Sequence, residues 1–328
     1  MSDKSLIIGA TGFIGSAVMR QLLAEGEQVR VLARESSTTQ NLDEFDVEVV
    51  HGDMRDRESV VRALRGCTTM YCTAAYFSHY NPDPQVAYDV NVNGTRATMQ
   101  AAEAAGVERV VYTSTNCTLG AHGETPVDES AMFNHWRTGD HYTQSKFLGE
   151  VEALRFAARG LPLVIVSPTY VIGTNDVRPT NSGQLLLDVA KGTMAVTMKG
   201  YLNVIDVEDV ARGHILAARK GRIGENYLLG NVNISITEFQ NMIADIAGVS
   251  RPRISIPYPL AVAVGHVSEA IARVTNTKPF ETASAVKIGH MGESYDCSKA
   301  VTELGLPQTP IEDSIRRALE WWRAHGYL

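Results

Sequence analysis

The chain has 328 residues, 44% hydrophobic and 20% charged, enough apolar material to bury a large α/β domain and a smaller lobe. A formal net charge of −7 without any Lys/Arg run repels a polyanion and argues against a nucleic-acid partner. No stretch reaches the roughly 20 apolar residues of a membrane span, and Leu6-Ile7-Ile8 is too brief for a signal-peptide core.

In chain order, residues 5–8 form a buried strand candidate and 13–25 a helix stopping near Gly26. Strands at 29–33 and 47–51 follow, then a helix at 57–64, a strand at 69–72 and a long helix over 86–105. Strands at 109–113 and 163–166 complete the run, and this alternation predicts a doubly wound parallel sheet of the Rossmann type. After Pro168 the pattern loosens: 175–183 reads as a polar loop, 207–220 as a helix opening on Glu208 and Asp209, and 226–229 as a last strand. Two or three helices are expected from Ile236 onward. Residues 1–167 and 202–232 are assigned to a dinucleotide-binding domain, 168–201 and 233–328 to a smaller, mostly helical substrate lobe. The apolar run at 260–274 is read as core packing of that lobe, ahead of a tunnel wall, a homodimer face or a membrane contact. Cys67, Cys72, Cys117 and Cys297 form no CxxC pair and no metal-ligand spacing, so reduced thiols, no metal centre and a cytoplasmic setting are expected.

Gly9-Ala10-Thr11-Gly12-Phe13-Ile14-Gly15 lies where the first strand turns into its helix. Glycines there let backbone N–H groups approach a pyrophosphate, and the helix N-terminus adds a favourable field. A tight turn alone would use the same residues, but the strand before and the helix after favour a phosphate loop. At the end of strand two stands Arg34, suited to the 2′-phosphate of NADP(H). Glu35 follows, and with a one-residue shift it would bind the ribose hydroxyls of NAD(H). Asp53 and Met54, after strand three, are placed at the adenine, and Ala74 in Cys72-Thr73-Ala74-Ala75 where the backbone passes the cofactor.

Tyr142-Thr143-Gln144-Ser145-Lys146 sets a phenol and an ammonium four apart, on one face of a helix. A nearby cation would lower the phenol toward the working range, making Tyr142 a proton donor or acceptor during hydride transfer. Lys146 would also hold the nicotinamide ribose. Thr113, Ser114 and Thr115 close strand five, and one of their hydroxyls is expected to polarise a substrate carbonyl. Tyr76, Phe77, Asn116 and Tyr170 fall in loops beside these residues and are candidate substrate contacts.

The segments GATGFIG (9–15), GDMRD (52–56), NVNGT (91–95), VVYTST (110–115), YTQSK (142–146), SPTYVIG (167–173), NVIDVEDVA (203–211) and WWRAHGYL (321–328) resemble the extended short-chain dehydrogenase/reductases of the NAD-dependent epimerase/dehydratase superfamily. Within them the chain is most similar to dihydroflavonol-reductase-like proteins and hopanoid-associated sugar epimerases. The resemblance implies Thr115 as the catalytic hydroxyl, where serine is more usual, Asn91 in the catalytic hydrogen-bond network and Pro168 against the nicotinamide.

A carbonyl reductase using NADP(H) is the first expectation, with a small-molecule ketone, aldehyde or alcohol as partner. An NAD-dependent nucleotide-sugar epimerase or dehydratase is the second, but Tyr201-Leu202-Asn203-Val204-Ile205-Asp206 lacks a cation for a diphosphate. Arg178, Lys191 and Lys199 could compensate. A non-catalytic NADPH sensor, the third, would need the phosphate loop but not the Tyr142/Lys146 pair.

Overall fold

The computed structural model describes residues 4–80, 82–121, 123–275 and 277–328. Short apolar runs bounded by turn residues form β1 (Lys4–Ile8), β2 (Gln28–Ala33), β3 (Glu48–His51), β4 (Thr69–Cys72), β5 (Arg109–Thr113) and β6 (Leu163–Pro168). Between them lie α1 (Phe13–Ala24), α2 (Arg57–Leu64), α3 (Gln85–Tyr88), α4 (Thr95–Ala105) and α5 (His141–Ala157). The helix expected over 86–105 is continuous from α3 to α4, with a wide π-type turn at Asp89–Gly94 carrying Asn91.

The remaining elements are β7 (Tyr170–Ile172), α6 (Asn181–Ala190), β8 (Val196–Thr197), β9 (Tyr201–Asp206), α7 (Val207–Lys220), β10 (Asn226–Leu229) and β11 (Val232–Ser235). They are followed by α8 (Ile236–Ala247), β12 (Ile254–Ser255), α9 (Tyr258–Thr275), α10 (Ala283–Met291) and α11 (Ile311–Ala324). Among the described residues four α-helices thus run from Ile236 onward, with a π-helical turn at Ala300–Leu304, rather than the two or three helices expected. The polar loop before α6 is also shorter than expected, because Thr180 caps that helix through Gly183 N–H (3.2 Å).

Seven parallel strands form one sheet in the order β10-β6-β5-β4-β1-β2-β3. Alternate residues point to opposite faces. Ile7, Val31, Val111 and Val164 pack with α1 and α7 on one side, whereas Leu6, Ile8, Val110 and Ile165 pack with α2, α4 and α5 on the other. Both faces being covered, β6 is buried along its whole length. The strand order reverses at β1 and β4, which opens a crevice at their carboxyl ends.

A second, three-stranded mixed sheet of β7, β9 and β11 packs with α6, α8 and α11 around Phe239, Ile315, Leu319 and Trp322. Residues 202–206, grouped with the large sheet by sequence, therefore lie in β9 of the small one. The reading of 260–274 as lobe core is corrected. Along α9, Leu260, Val264, Val267, Ile271 and Val274 are 41–87% exposed, and the buried positions are Ala261, Gly265 and Ala272. The physical cause is close packing through small residues: a Cβ on Gly265 would lie 2.6 Å from Ala283 N at the start of α10. The larger side chains turn outward, and Leu260, Val264, Val267 and Ile271 line, with Phe280, a groove of about 570 Å³. Among the described residues no helix is long and apolar enough to cross a membrane, and the four cysteines are free and buried.

Candidate active site

β1 gives way at Gly9, whose φ of +102° suits a residue without a side chain. A Cβ there would lie 2.7 Å from Ala74 N, and one on Gly15 would run into the Gly9 carbonyl and come within 2.5 Å of Thr73 Oγ1. The cradle between β1 and β4 thus exists because both positions lack a side chain. Gly12 occupies the N-cap of α1 without a side-chain cap, so the helix opens on bare N–H donors. Phe13 and Ile14 brace this turn against the core, while the Thr11 carbonyl accepts from Asn41 Nδ2 (3.3 Å). Cleared volume and donors fit a dinucleotide pyrophosphate.

Arg34 is exposed directly after β2, as is Glu35. The Arg34 charge reaches Asp53, beyond β3, but the main partner of that carboxylate is Arg55. Arg55 grips both oxygens of Asp53 (Nε 3.0 Å, Nη2 2.8 Å) and holds it below the usual carboxylate range. Sequence reasoning passed over Arg55 because two residues in a loop carry no periodicity. Met54 is 7% exposed beneath the turn at Gly94.

Three hydroxyls close β5, and their partners separate them. Thr113 Oγ1 pairs with Nε2 of buried His214 (2.8 Å), whose other ring nitrogen meets the Val210 carbonyl. Burial lowers His214 to about 4, so it is neutral and can accept from Thr113. Ser114 is taken by the buried Glu150 of α5. Thr115 remains; its hydroxyl donates to Asn116 Oδ1 (3.1 Å) and stands close enough to the Tyr142 phenol to pull it downward.

Asp140 caps α5 through Thr143 N–H (2.9 Å) and so fixes the first turn, where Tyr142 is 7% exposed. Lys146, one turn on, is 2% exposed; its Nζ donates to the Thr113 carbonyl (2.8 Å) and lies over the Tyr112 ring. The expected lowering of the Tyr142 phenol by Lys146 is not what the structure displays. Burial drives the phenol well above its ordinary value, reinforced by Cys117 and opposed by the nearby Thr115 hydroxyl. Burial likewise lowers Lys146 to about 8.

Asn91 is 2% exposed and makes three bonds: Oδ1 accepts from Tyr76 N–H (2.8 Å), while Nδ2 donates to Tyr76 C=O (3.0 Å) and Ser145 Oγ (2.9 Å). It thereby ties the loop after β4 to α5. Phe77 from that loop meets the Tyr142 ring edge-on, with centroids 4.7 Å apart. Asn116 Nδ2 donates to Glu293 (2.9 Å), Tyr170 packs on Phe239, and Pro168 ends β6 beside Leu229. Arg178, Lys191 and Lys199 are all exposed.

Sequence reasoning missed an ionisable group around Tyr142. His79 Nδ1 bonds Asp140, and its ring stands edge-on to Tyr142 (5.6 Å) and Phe77 (5.4 Å). Glu281 and Glu293 face the same imidazole from either end of α10. An acid two positions before Tyr142 is a legible helix cap, but nothing in the loop spacing marks His79.

The model of the NAD-dependent epimerase/dehydratase family matches residues 5–230. A Synechocystis sp. protein named as a candidate dihydroflavonol 4-reductase is 36% identical over 100% of this chain and 97% of its own. Sterol demethylase protein B of Methylococcus capsulatus is 35% identical over 99% of both chains. The crystal structure of gox2253 superposes with a TM-score of 0.89 at 36% identity, covering 100% of each chain.

Proposed function

The chain belongs to the NAD-dependent epimerase/dehydratase family, and from that premise we propose that it is an NADP(H)-dependent oxidoreductase interconverting a ketone or aldehyde and its alcohol. The observation that carries the reading is the buried Tyr142, with the Thr115 hydroxyl beside its phenol and buried Lys146 one helical turn on, in a fold that also builds the glycine cradle between β1 and β4. Gly9, Thr11, Gly12, Phe13, Ile14 and Gly15 would hold the pyrophosphate, Arg34 the 2′-phosphate, Asp53, Met54 and Ala74 the adenosine half, and Lys146 with Pro168 the nicotinamide half. Bound there, the nicotinamide supplies hydride. Tyr142 donates the proton to the substrate oxygen, and Thr115 orients that oxygen. A phenol lifted by burial stays protonated at neutral pH, which suits an acid in the direction of reduction. Asn91 keeps Tyr76, Phe77 and α5 in register.

Exposed Phe77 beside Tyr142, and the apolar groove ending at Phe280 just before Glu281, support a substrate carrying its carbonyl on an apolar body. The names of the Synechocystis and Methylococcus relatives agree with a polycyclic one. In β9, Asn203 bonds Thr169 and Asn233 while Asp206 caps α7 and pairs with Arg317, so that strand turns no cation to a nucleotide diphosphate.

The test is titration of the protein with NADPH and NADH by tryptophan fluorescence. At least a tenfold preference for NADPH, about 1.4 kcal/mol, is expected, and Arg34→Ala should abolish it. Preference for NADH, or copurifying NAD, would transfer the proposal to a nucleotide-sugar epimerase. Tyr142→Phe should stop turnover while leaving nucleotide affinity within about threefold; undiminished turnover would remove Tyr142 from the mechanism.

A further inference from the structure

We propose that His79 is a positioning residue for Tyr142: an imidazolium that neutralises the buried Asp140 carboxylate at the head of the helix carrying the phenol. This rests on the reading of Tyr142 as the proton-transfer group.

The Asp140 side chain is 0% exposed, and both its oxygens are committed, Oδ1 to Thr143 N–H and Oδ2 to His79 Nδ1. The cap is needed to start α5 two residues before Tyr142. It also sets a negative charge beside a phenol that must pass through a negative state whenever it gives up its proton, and Asp140 does push the Tyr142 phenol upward. A neutral asparagine would cap equally well, so a carboxylate in this place calls for a cation. His79 is that cation. Its ring is fixed edge-on against Tyr142 and Phe77, and its backbone carbonyl accepts from Ser284 Oγ (3.4 Å) of α10. Among the described residues Nε2 has no hydrogen-bond partner, so Asp140 is the group that orients the ring.

The groups facing the imidazole are Asp140 and Tyr142 of α5, Glu281 before α10 and Glu293 after it. Burial disfavours the imidazolium, yet Asp140 together with Glu293 and Glu281 outweighs this and raises His79 above its ordinary value. Reciprocally, burial opposes the Asp140 carboxylate, but the His79 bond and the N–H groups of α5 hold it low. With the imidazolium in place, Asp140 can cap the helix without its full charge bearing on the phenol.

Two measurements test this. In ¹⁵N-histidine-labelled full-length protein, the His79 resonance, assigned by its loss in His79→Asn, should titrate with a midpoint above 6.5, and Asp140→Asn should bring that midpoint below the wild-type value. A wild-type midpoint under 6.5 overturns the pairing. In NADP⁺-dependent oxidation of 1-decalol, His79→Asn should move the Tyr142-governed limb of the kcat/KM profile upward by about one pH unit and lower kcat about tenfold at pH 7.5, with KM for NADP⁺ within about twofold. The double variant His79→Asn/Asp140→Asn, which removes the uncompensated charge but keeps the cap, should return the limb toward wild type. A His79→Asn profile superimposable on wild type, or a double variant no better than the single, refutes the inference. Tyr142→Phe separates the two failures. If it turns over normally the site reading falls, whereas if it is inactive while the His79→Asn profile is unshifted, only the role of His79 falls.

Discussion

Replacing Asn91 by alanine removes a side chain that joins the loop after β4 to the middle of α5 through Ser145. Three hydrogen bonds of 2.8–3.0 Å disappear from a residue that is 2% exposed. Ser145 retains a partner, since its hydroxyl also donates to the Tyr142 carbonyl (2.8 Å). The Tyr76 N–H and C=O are left in a half-buried place with no replacement. At about 1–2 kcal/mol for each stranded backbone group, the loss is about 3 kcal/mol. Taking about 2 °C per kcal/mol for a chain of this size, the thermal midpoint should fall by roughly 6 °C. The assay is thermal unfolding followed by tryptophan fluorescence, with Trp322, 1% exposed, as a core reporter. Activity should suffer more than cofactor binding, because Phe77 and Tyr142 lose register while the glycine cradle is untouched. A midpoint within about 1 °C of wild type, with unchanged kcat, would refute the account of Asn91 as the clamp.

Gly15→Ala should weaken NADPH binding at least tenfold, about 1.4 kcal/mol, because the new methyl meets the Gly9 carbonyl and Thr73 Oγ1 and pushes α1 off the cradle; fluorescence titration giving an affinity within twofold of wild type would count against it. Lys146 predicts a pH dependence. Its folded value of about 8 lies below the ordinary 10.5, so between these pH values the unfolded chain holds a proton that the folded one has released. Stability relative to Lys146→Met should therefore rise with pH across that window, by an amount on the order of 3 kcal/mol. Urea midpoints of both proteins at pH 8 and pH 10 measure it, and a constant difference would contradict the burial argument.

Much of the large sheet was legible because its strands are short apolar runs separated by Gly26, Gly66 and Gly106, a pattern that local chemistry sets directly. GATGFIG and YTQSK were legible for the same reason, each lying within one turn of structure. What escaped depends on residues far apart in sequence. Tyr201–Asp206 joins β7 and β11 in a separate sheet, a choice decided by packing on Phe239 and Trp322. The outward face of α9 follows from Gly265 against Ala283, which no periodicity reveals, since an apolar stripe looks alike whether covered or bare. His79 meets Asp140 across 61 positions, and Asn116 meets Glu293 across 177. Even the Tyr142/Lys146 pair illustrates the limit: its shared face was readable, but the choice of the Thr113 carbonyl by the ammonium was not.

The four buried cysteines have a practical consequence. Burial raises Cys72 to about 11 and Cys297 to about 12, and lifts Cys67 and Cys117 as well. Because the thiolate is the reacting form, a folded chain at neutral pH should be nearly inert to thiol reagents, and modification should wait for the chain to open. The rate at which label accumulates then serves as a clock for opening. Cys72 at the end of β4 times the central sheet, and Cys297 beyond α10 times the C-terminal segment. Nucleotide that settles beside β4 should slow the first hand of that clock, reporting occupancy without any turnover.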